Sequence, residues 1–290
     1  MNDITIIVPC YNEKVEILQA TVTNIHQSLS KTDVNYEIII VDDSSDISYE
    51  NLHIENSSII SHQKNKGYGA ALKTGIKKAK YDWIGITDAD GTYPNSKFHE
   101  LLAEVGDNDM VIGARAWNDI SWVRRTPKRI LTIFSSFLSG SDIPDLNSGM
   151  RIFNKKLAYS FWHLFPNGFS FTSTLTIGAI TNEYDVKFHP IEYYKRVGQS
   201  SINPIKDTIR FFTLVTRLAL YFNPKKFFVP LSIIFLIIGV ARGTRDYIVE
   251  GSFGGLTLIL VFMAFQIFFF GLLAEIINKT RKYLSSEKFE

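Results

Sequence analysis

Four short runs rich in β-branched residues, each closed abruptly by polar ones, constrain the fold of this chain more than any other feature. They fall at residues 4–8, 36–41, 83–87 and 109–113. Continuous apolar runs of this length read as strands buried on both faces, as in parallel sheets, rather than as half-solvated antiparallel strands. Helical stretches lie between them at 14–29 and 69–80, and a short one near 96–105 follows the third run. The alternation predicts an α/β fold with an open, doubly wound, Rossmann-like sheet.

In such sheets ligands bind beyond the carboxyl ends of the strands, so the residues that follow each run carry the functional information. Those residues are Pro9-Cys10-Tyr11-Asn12-Glu13, Asp42-Asp43-Ser44-Ser45, Asp88-Ala89-Asp90 and Ala114-Arg115. An isolated Asp-x-Asp is more often a polar turn than a site. Beside the other endings it reads as a seat for a cation bound to a diphosphate. Hard divalent ions such as Mg2+ or Mn2+ prefer oxygen ligands, and Mg2+ typically takes one or two carboxylates and leaves its other positions to water and phosphates. The carboxylates can hold a metal and the base or ribose hydroxyls, while Arg115 can offer its planar fork to phosphate.

Several alternatives are disfavoured. Lys66-Gly67-Tyr68-Gly69-Ala70-Ala71 approaches a dinucleotide fingerprint, but Leu72 stands where the third glycine belongs, and no GxxxxGK[ST] loop is present. Those glycines are expected to allow a tight passage from strand to helix. A net charge of +2 does not by itself imply nucleic acid as a partner. The single Cys10 can build neither a disulfide framework nor a zinc cluster, which suits a reducing compartment. His26, His53, His62, His99, His163 and His189 lack ligand spacing, and no signal peptide is expected before the first strand.

After Asn223 the chain changes character. Residues 254–277 form an apolar run interrupted only by Thr257, Gln266 and Glu275, long enough for the roughly 20 residues a membrane helix needs. Residues 227–241 reach spanning length if Lys225 and Lys226, or Arg242, snorkel at the ends. A buried core hairpin is the alternative. Lys225 and Lys226 precede the first span and Lys279, Arg281 and Lys282 follow the second, so the positive-inside rule places both ends in the cytoplasm, joined by an outer loop at 244–252. Residues 203–222 mix Ile205, Ile209, Phe212, Val215 and Leu218 with Lys206, Arg210 and Arg217, a pattern suited to helices lying on a membrane. The expected organisation is a cytosolic domain over 1–202, juxtamembrane helices over 203–224 and a two-helix hairpin over 225–290. Such a hairpin can anchor a monomer or pack with other copies as a homo-oligomer.

The strand-end motifs, with Asn65 and Gly67, Gly113-Ala114-Arg115 and the later Asp145-Leu146-Asn147-Ser148-Gly149-Met150-Arg151, resemble glycosyltransferase family 2. Together with the hairpin they resemble its polyprenyl-phosphate branch, similar to dolichyl-phosphate mannose synthases and undecaprenyl-phosphate sugar transferases. The resemblance implies a GT-A fold, a UDP- or GDP-linked sugar donor, Mg2+ or Mn2+, a dolichyl or undecaprenyl phosphate acceptor and inversion at the anomeric centre. It implies a multi-pass protein of the cytoplasmic membrane that serves cell-envelope glycan or glycoconjugate synthesis. Pro9, Tyr11 and Glu13 would line the nucleoside pocket, Asp42 would contact the base, and Asp88 would lie near the ribose or diphosphate. Asp90 would be the principal metal ligand with Asp88 beside it, and Arg115 would approach the phosphates. Asp145 is the candidate base or acceptor-side carboxylate. Arg151, Arg124, Arg125, Arg196 and Ser200, with Lys128 and Arg129, would serve the acceptor phosphate, although a solvated basic face explains Lys128 and Arg129 equally well.

Two departures from the branch stand out. Gly198-Gln199-Ser200-Ser201 replaces a common Gly-Lys-Ser-Lys, and residues 168–174 lack an acidic residue that some members carry. Transfer to a lipid-linked saccharide or another hydroxyl is the enzymatic alternative, and a membrane-anchored scaffold is the non-enzymatic one.

Overall fold

The computed structural model describes residues 3–50, 52, 54–116, 132–133, 136–137, 140–168, 170–194, 213, 217 and 220–286. The chain divides into two compact units, Met1–Ile133 with Asp142–Ile205, and Phe134–Ser141 with Lys206–Glu290.

In the first unit the apolar runs form β1 (Ile4–Cys10), β2 (Tyr36–Asp42), β4 (Trp83–Ile86) and β5 (Met110–Arg115). Three strands outside the expected set join them: β3 (Ser57–Ser61), β6 (Arg151–Asn154) and β7 (Val186–Ile191). Among the described residues these make one sheet in the order β3-β2-β1-β4-β6-β5-β7. It is mixed rather than wholly parallel, because β6 runs antiparallel between β4 and β5. The remaining strands share one direction, so their carboxyl ends lie on a common edge. β6 enters the sheet at that edge, with Arg151 level with both Ile86 and Ile112.

Helices cover both faces. On α1 (Val15–Leu29), Leu18, Val22, Ile25 and Leu29 form one buried stripe against Ile4, Ile6 and Val8 of β1 and Ile38 and Ile40 of β2. Each fully buried aliphatic side chain there contributes about 2 kcal/mol. The same face is completed by α3 (Phe98–Ala103), which buries Phe98, Leu101 and Leu102. On the opposite face, α2 (Tyr68–Lys78) lies so near that a Cβ at Gly75 would stand 2.5 Å from Ile7 Cγ2. The helices α4 (Lys155–Ser160) and α5 (Phe171–Thr181) follow β6.

The second unit contains α6 (Pro224–Glu250) and α7 (Gly255–Ser286), each long and apolar enough to cross a membrane. At 27 residues α6 is about 40 Å long, more than a hydrocarbon core of roughly 30 Å. The expected loop at 244–252 is instead mostly helix, and the chain turns only at 251–254. Asp246 was misleading because its carboxylate is satisfied within the hairpin. Asp246 accepts a 2.8 Å hydrogen bond from Thr257 Oγ1 and lies 3.2 Å from Arg242 Nε. Nearby, Gly239 and Gly243 let the helices approach, and a Cβ at Gly243 would fall 2.8 Å from Thr257 Cγ2. At the other end Glu275 meets both Lys225 and Lys279. The expected juxtamembrane helices at 203–224 lie mostly outside the described residues.

Candidate functional site

The ends of β1 and β2 are level, with Cys10 paired to Asp42, and the loops beyond them are tied together. Asn12 adopts a left-handed φ of 54° and donates its N–H to Ser45 Oγ at 2.8 Å. Its side-chain amide exchanges two hydrogen bonds with Asp46. Tyr49 reaches back to donate to the Glu13 carbonyl at 2.7 Å. Asp42 is buried and accepts the Ser45 N–H at 3.0 Å. Beside it is a cavity of about 610 Å³, lined by Ser45, Asp46, Tyr49 and Ser61, a volume that suits a small-molecule ligand. Tyr11 is exposed, whereas Pro9 is buried within β1.

The neighbouring Asp43 received no separate role from the sequence. It is buried and accepts the N–H groups of Lys66 at 2.9 Å and Gly67 at 2.6 Å, and it holds His62 Nδ1 at 2.7 Å. His62 Nε2 in turn meets Thr74 Oγ1 at 2.9 Å. One carboxylate therefore ties β2, the segment after β3 and α2 together.

Asp88 and Asp90 lie just past β4 and are half-buried. Asp90 Oδ1 accepts the Thr92 N–H at 3.1 Å and its hydroxyl at 2.6 Å, so this carboxylate closes a turn. Asp88 Oδ1 accepts the Tyr68 hydroxyl at 3.0 Å. Its Oδ2 stands 2.7 Å from where a Cβ at Gly149 would be, so only glycine leaves room for this carboxylate. Two hard-oxygen side chains in a cradle kept open by Gly149 fit a Mg2+ or Mn2+ that takes its other ligands from phosphate and water.

Arg115 and Asp145 meet each other. Arg115 Nε lies 2.6 Å from Asp145 Oδ2 and Nη2 lies 3.0 Å from Oδ1, while the Arg115 backbone N–H adds a third bond. The Tyr193 ring covers the guanidinium at 5.0 Å. Burial works against the Arg115 charge, but Tyr93, the Asp145 carboxylate and Tyr193 together outweigh it and raise the pKa, so the guanidinium stays charged. Arg151, expected as a cation at the acceptor end, is fully buried. It donates to the carbonyls of Ser148 and Thr172 and to Thr176 Oγ1 at 2.7 Å. Burial pulls its guanidinium down to about 10, which still leaves it charged at neutral pH. It therefore corrects the expectation of a direct substrate contact: Arg151 fixes the loop at 145–149 onto α5.

The family model for Glycosyl transferase family 2 matches residues 5–162, and that for the GtrB C-terminal hairpin matches 223–280. The chain belongs to glycosyltransferase family 2. It is 27% identical over 282 residues to the low-salt glycan biosynthesis hexosyltransferase of Haloferax volcanii, covering 92% of this chain and 67% of that protein. A dolichyl-phosphate hexose transferase of the same organism is 26% identical over 207 residues, covering 70% of this chain and 88% of that one. The fold matches glucosyl-3-phosphoglycerate synthase from Mycobacterium tuberculosis with a TM-score of 0.55 at 14% identity, covering 75% and 79% of the two chains.

In this glycosyltransferase the sheet edge gathers Asp42, Asp88, Asp90, Arg115, Asp145 and Arg151 into one unit. Arg124, Arg125, Lys128, Arg129, Arg196 and Ser200 lie outside the described residues. The roles of Asp43 and Tyr68 went unread. The signal for Asp43 was the second carboxylate of an Asp-Asp pair, whose side chain must turn away from its neighbour's.

Proposed function

We propose that this glycosyltransferase moves a hexose-type sugar, with inversion, from a nucleotide sugar to a polyprenyl phosphate at the cytosolic face of the cytoplasmic membrane. The observation that carries this reading is that one chain joins a carboxylate-lined sheet edge to a hairpin of membrane-spanning length. The dolichyl-phosphate relative supports the acceptor class.

Asp42 and the tied loops at 11–13 and 44–49 would receive the nucleoside, with Tyr11 closing over it. Asp88 and Asp90 would hold Mg2+ or Mn2+, which when bound offsets the negative charge that builds on the departing diphosphate. An acceptor phosphate oxygen attacks the anomeric carbon, the bond from that carbon to the diphosphate oxygen breaks, and the electron pair leaves with the nucleoside diphosphate. A lipid phosphate is already an anion at neutral pH, so no proton need be removed. This agrees with Asp145 being engaged by Arg115 rather than presented as a base. Arg115 would serve the phosphates only by exchanging that partner. Lys225 and Lys279 mark the cytosolic end of a multi-pass hairpin under the positive-inside rule.

Purified full-length protein should be incubated with Mg2+ or Mn2+, undecaprenyl or dolichyl phosphate and a panel of labelled nucleotide sugars. A sugar-phosphate lipid from one donor is the expected product. No such product from any donor would sink the acceptor assignment, and full turnover by Asp90→Asn would sink the metal assignment.

A further inference from the structure

The Lys66-Gly67-Tyr68-Gly69 segment has so far only an architectural explanation. Gly67 sits at φ +97°, and its N–H and that of Lys66 are both received by Asp43. Gly69 donates its N–H to the Gly168 carbonyl at 3.1 Å, and Ala70 donates to Asn167 at 2.9 Å. Neither glycine tolerates a side chain: a Cβ at Gly67 would lie 2.7 Å from the Asn167 carbonyl oxygen, and one at Gly69 would lie 2.2 Å from that of Pro166. The backbone on both sides of Tyr68 is thus fixed against two separate parts of the domain.

That fixation aims the Tyr68 ring at the end of β4, where its hydroxyl donates to Asp88 Oδ1. A Cβ at Gly149 would come within 2.8 Å of both carboxylate oxygens, and the Gly149 N–H is given to Tyr93 Oη at 2.7 Å. The Tyr68 hydroxyl holds one oxygen, and only a glycine at 149 leaves space beside the carboxylate, so its orientation is restricted.

We propose that Tyr68 is a positioning residue that sets the orientation in which Asp88 meets the divalent cation, and that the glycines around it exist to hold it there. This rests on the metal-diphosphate reading of Asp88 and Asp90. A hydrogen-bonded partner of a metal ligand commonly accounts for about 10-fold to 100-fold in metal affinity or activity, because it fixes the ligand before the ion arrives.

The test is a Mn2+ titration of the purified full chain, read by loss of the free-ion electron paramagnetic resonance signal. It is run in the presence of UDP and, in parallel, GDP, for the wild type, Tyr68→Phe and Gly149→Ala. The expected result is roughly a 10-fold weaker Mn2+ affinity for Tyr68→Phe at an unchanged thermal midpoint, with turnover recovered by raising Mn2+. Gly149→Ala crowds the same carboxylate and should weaken Mn2+ as well. It carries the test if Tyr68→Phe does not fold. Wild-type binding with both variants unchanged overturns the inference and leaves the metal reading standing. No Mn2+ binding by the wild type with either nucleotide overturns the metal reading itself, and the inference with it.

Discussion

Arg115 Nε lies 2.6 Å from Asp145 Oδ2 while Nη2 lies 3.0 Å from Oδ1, a two-pronged pair in which Asp145 is almost wholly buried. The pair joins the end of β5 to the loop before β6, and so closes one side of the sheet edge. Removing one partner of such a pair strands the other charge, which costs about 3–5 kcal/mol.

Asp145→Asn should therefore lower the thermal midpoint of the purified protein and reduce kcat/KM. The shape of the pH–rate profile should survive, because a phosphate acceptor needs no base. Loss of the low-pH limb in the variant would instead assign Asp145 as the base for a hydroxyl acceptor, since protonation inactivates a general base.

Asp43→Ala should destabilise the domain by about 3 kcal/mol or more, since it orphans two backbone N–H groups and an imidazole at about 1–3 kcal/mol each. Asp43→Asn keeps one acceptor oxygen and should lose less. Thermal melts compare the two. Because Asp43 also holds the segment leading to Tyr68, donor KM should rise in whichever variant still folds.

The central strands were legible because β1, β2, β4 and β5 are continuous apolar runs, and their order along the chain placed the carboxylates on one edge. The missing strands were not. The edge strand β3 reads Ser-Ser-Ile-Ile-Ser, and β7, also at an edge, carries Pro190, so neither shows a buried-strand pattern. The strand β6 reads Arg-Ile-Phe-Asn, with only two apolar residues between polar ends, and its place between β4 and β5 is a non-local choice. The site was legible as a set of residue types, but exposure was not. Arg151 reads as a phosphate ligand until its burial is known, and Asp246 reads as a loop residue until Thr257 is seen beside it.

The hairpin offers a check on that last contact. A Cβ at Gly243 would crowd Thr257 at 2.8 Å, whereas one at Gly255 meets nothing within 4 Å. Gly243→Ala should destabilise the detergent-solubilised hairpin by about 1–2 kcal/mol through overpacking, and Gly255→Ala should not. Thr257→Val should cost about 1 kcal/mol by removing the hydrogen bond to Asp246. Unfolding titrations in mixed micelles give all three values.

Cys10 supplies the pH prediction. Burial, and then the charges of Asp42, Glu13 and Asp43, push its thiol up to about 12 from 9.0. The folded thiol thus keeps its proton where the unfolded one loses it. The resulting stabilisation is full below pH 9 and falls away as the pH rises from 9 towards 12. The slope is about 1.4 kcal/mol per pH unit within that window. Cys10→Ala should flatten stability against pH there by this amount, after the background from other groups is subtracted as the difference between the two proteins. The same shift makes the native thiol a poor nucleophile, because the thiolate is the reactive form. Alkylation by iodoacetamide at pH 8 should proceed only at the rate of local opening and should accelerate sharply in denaturant. Rapid native alkylation would mean that the end of β1 is open to solvent.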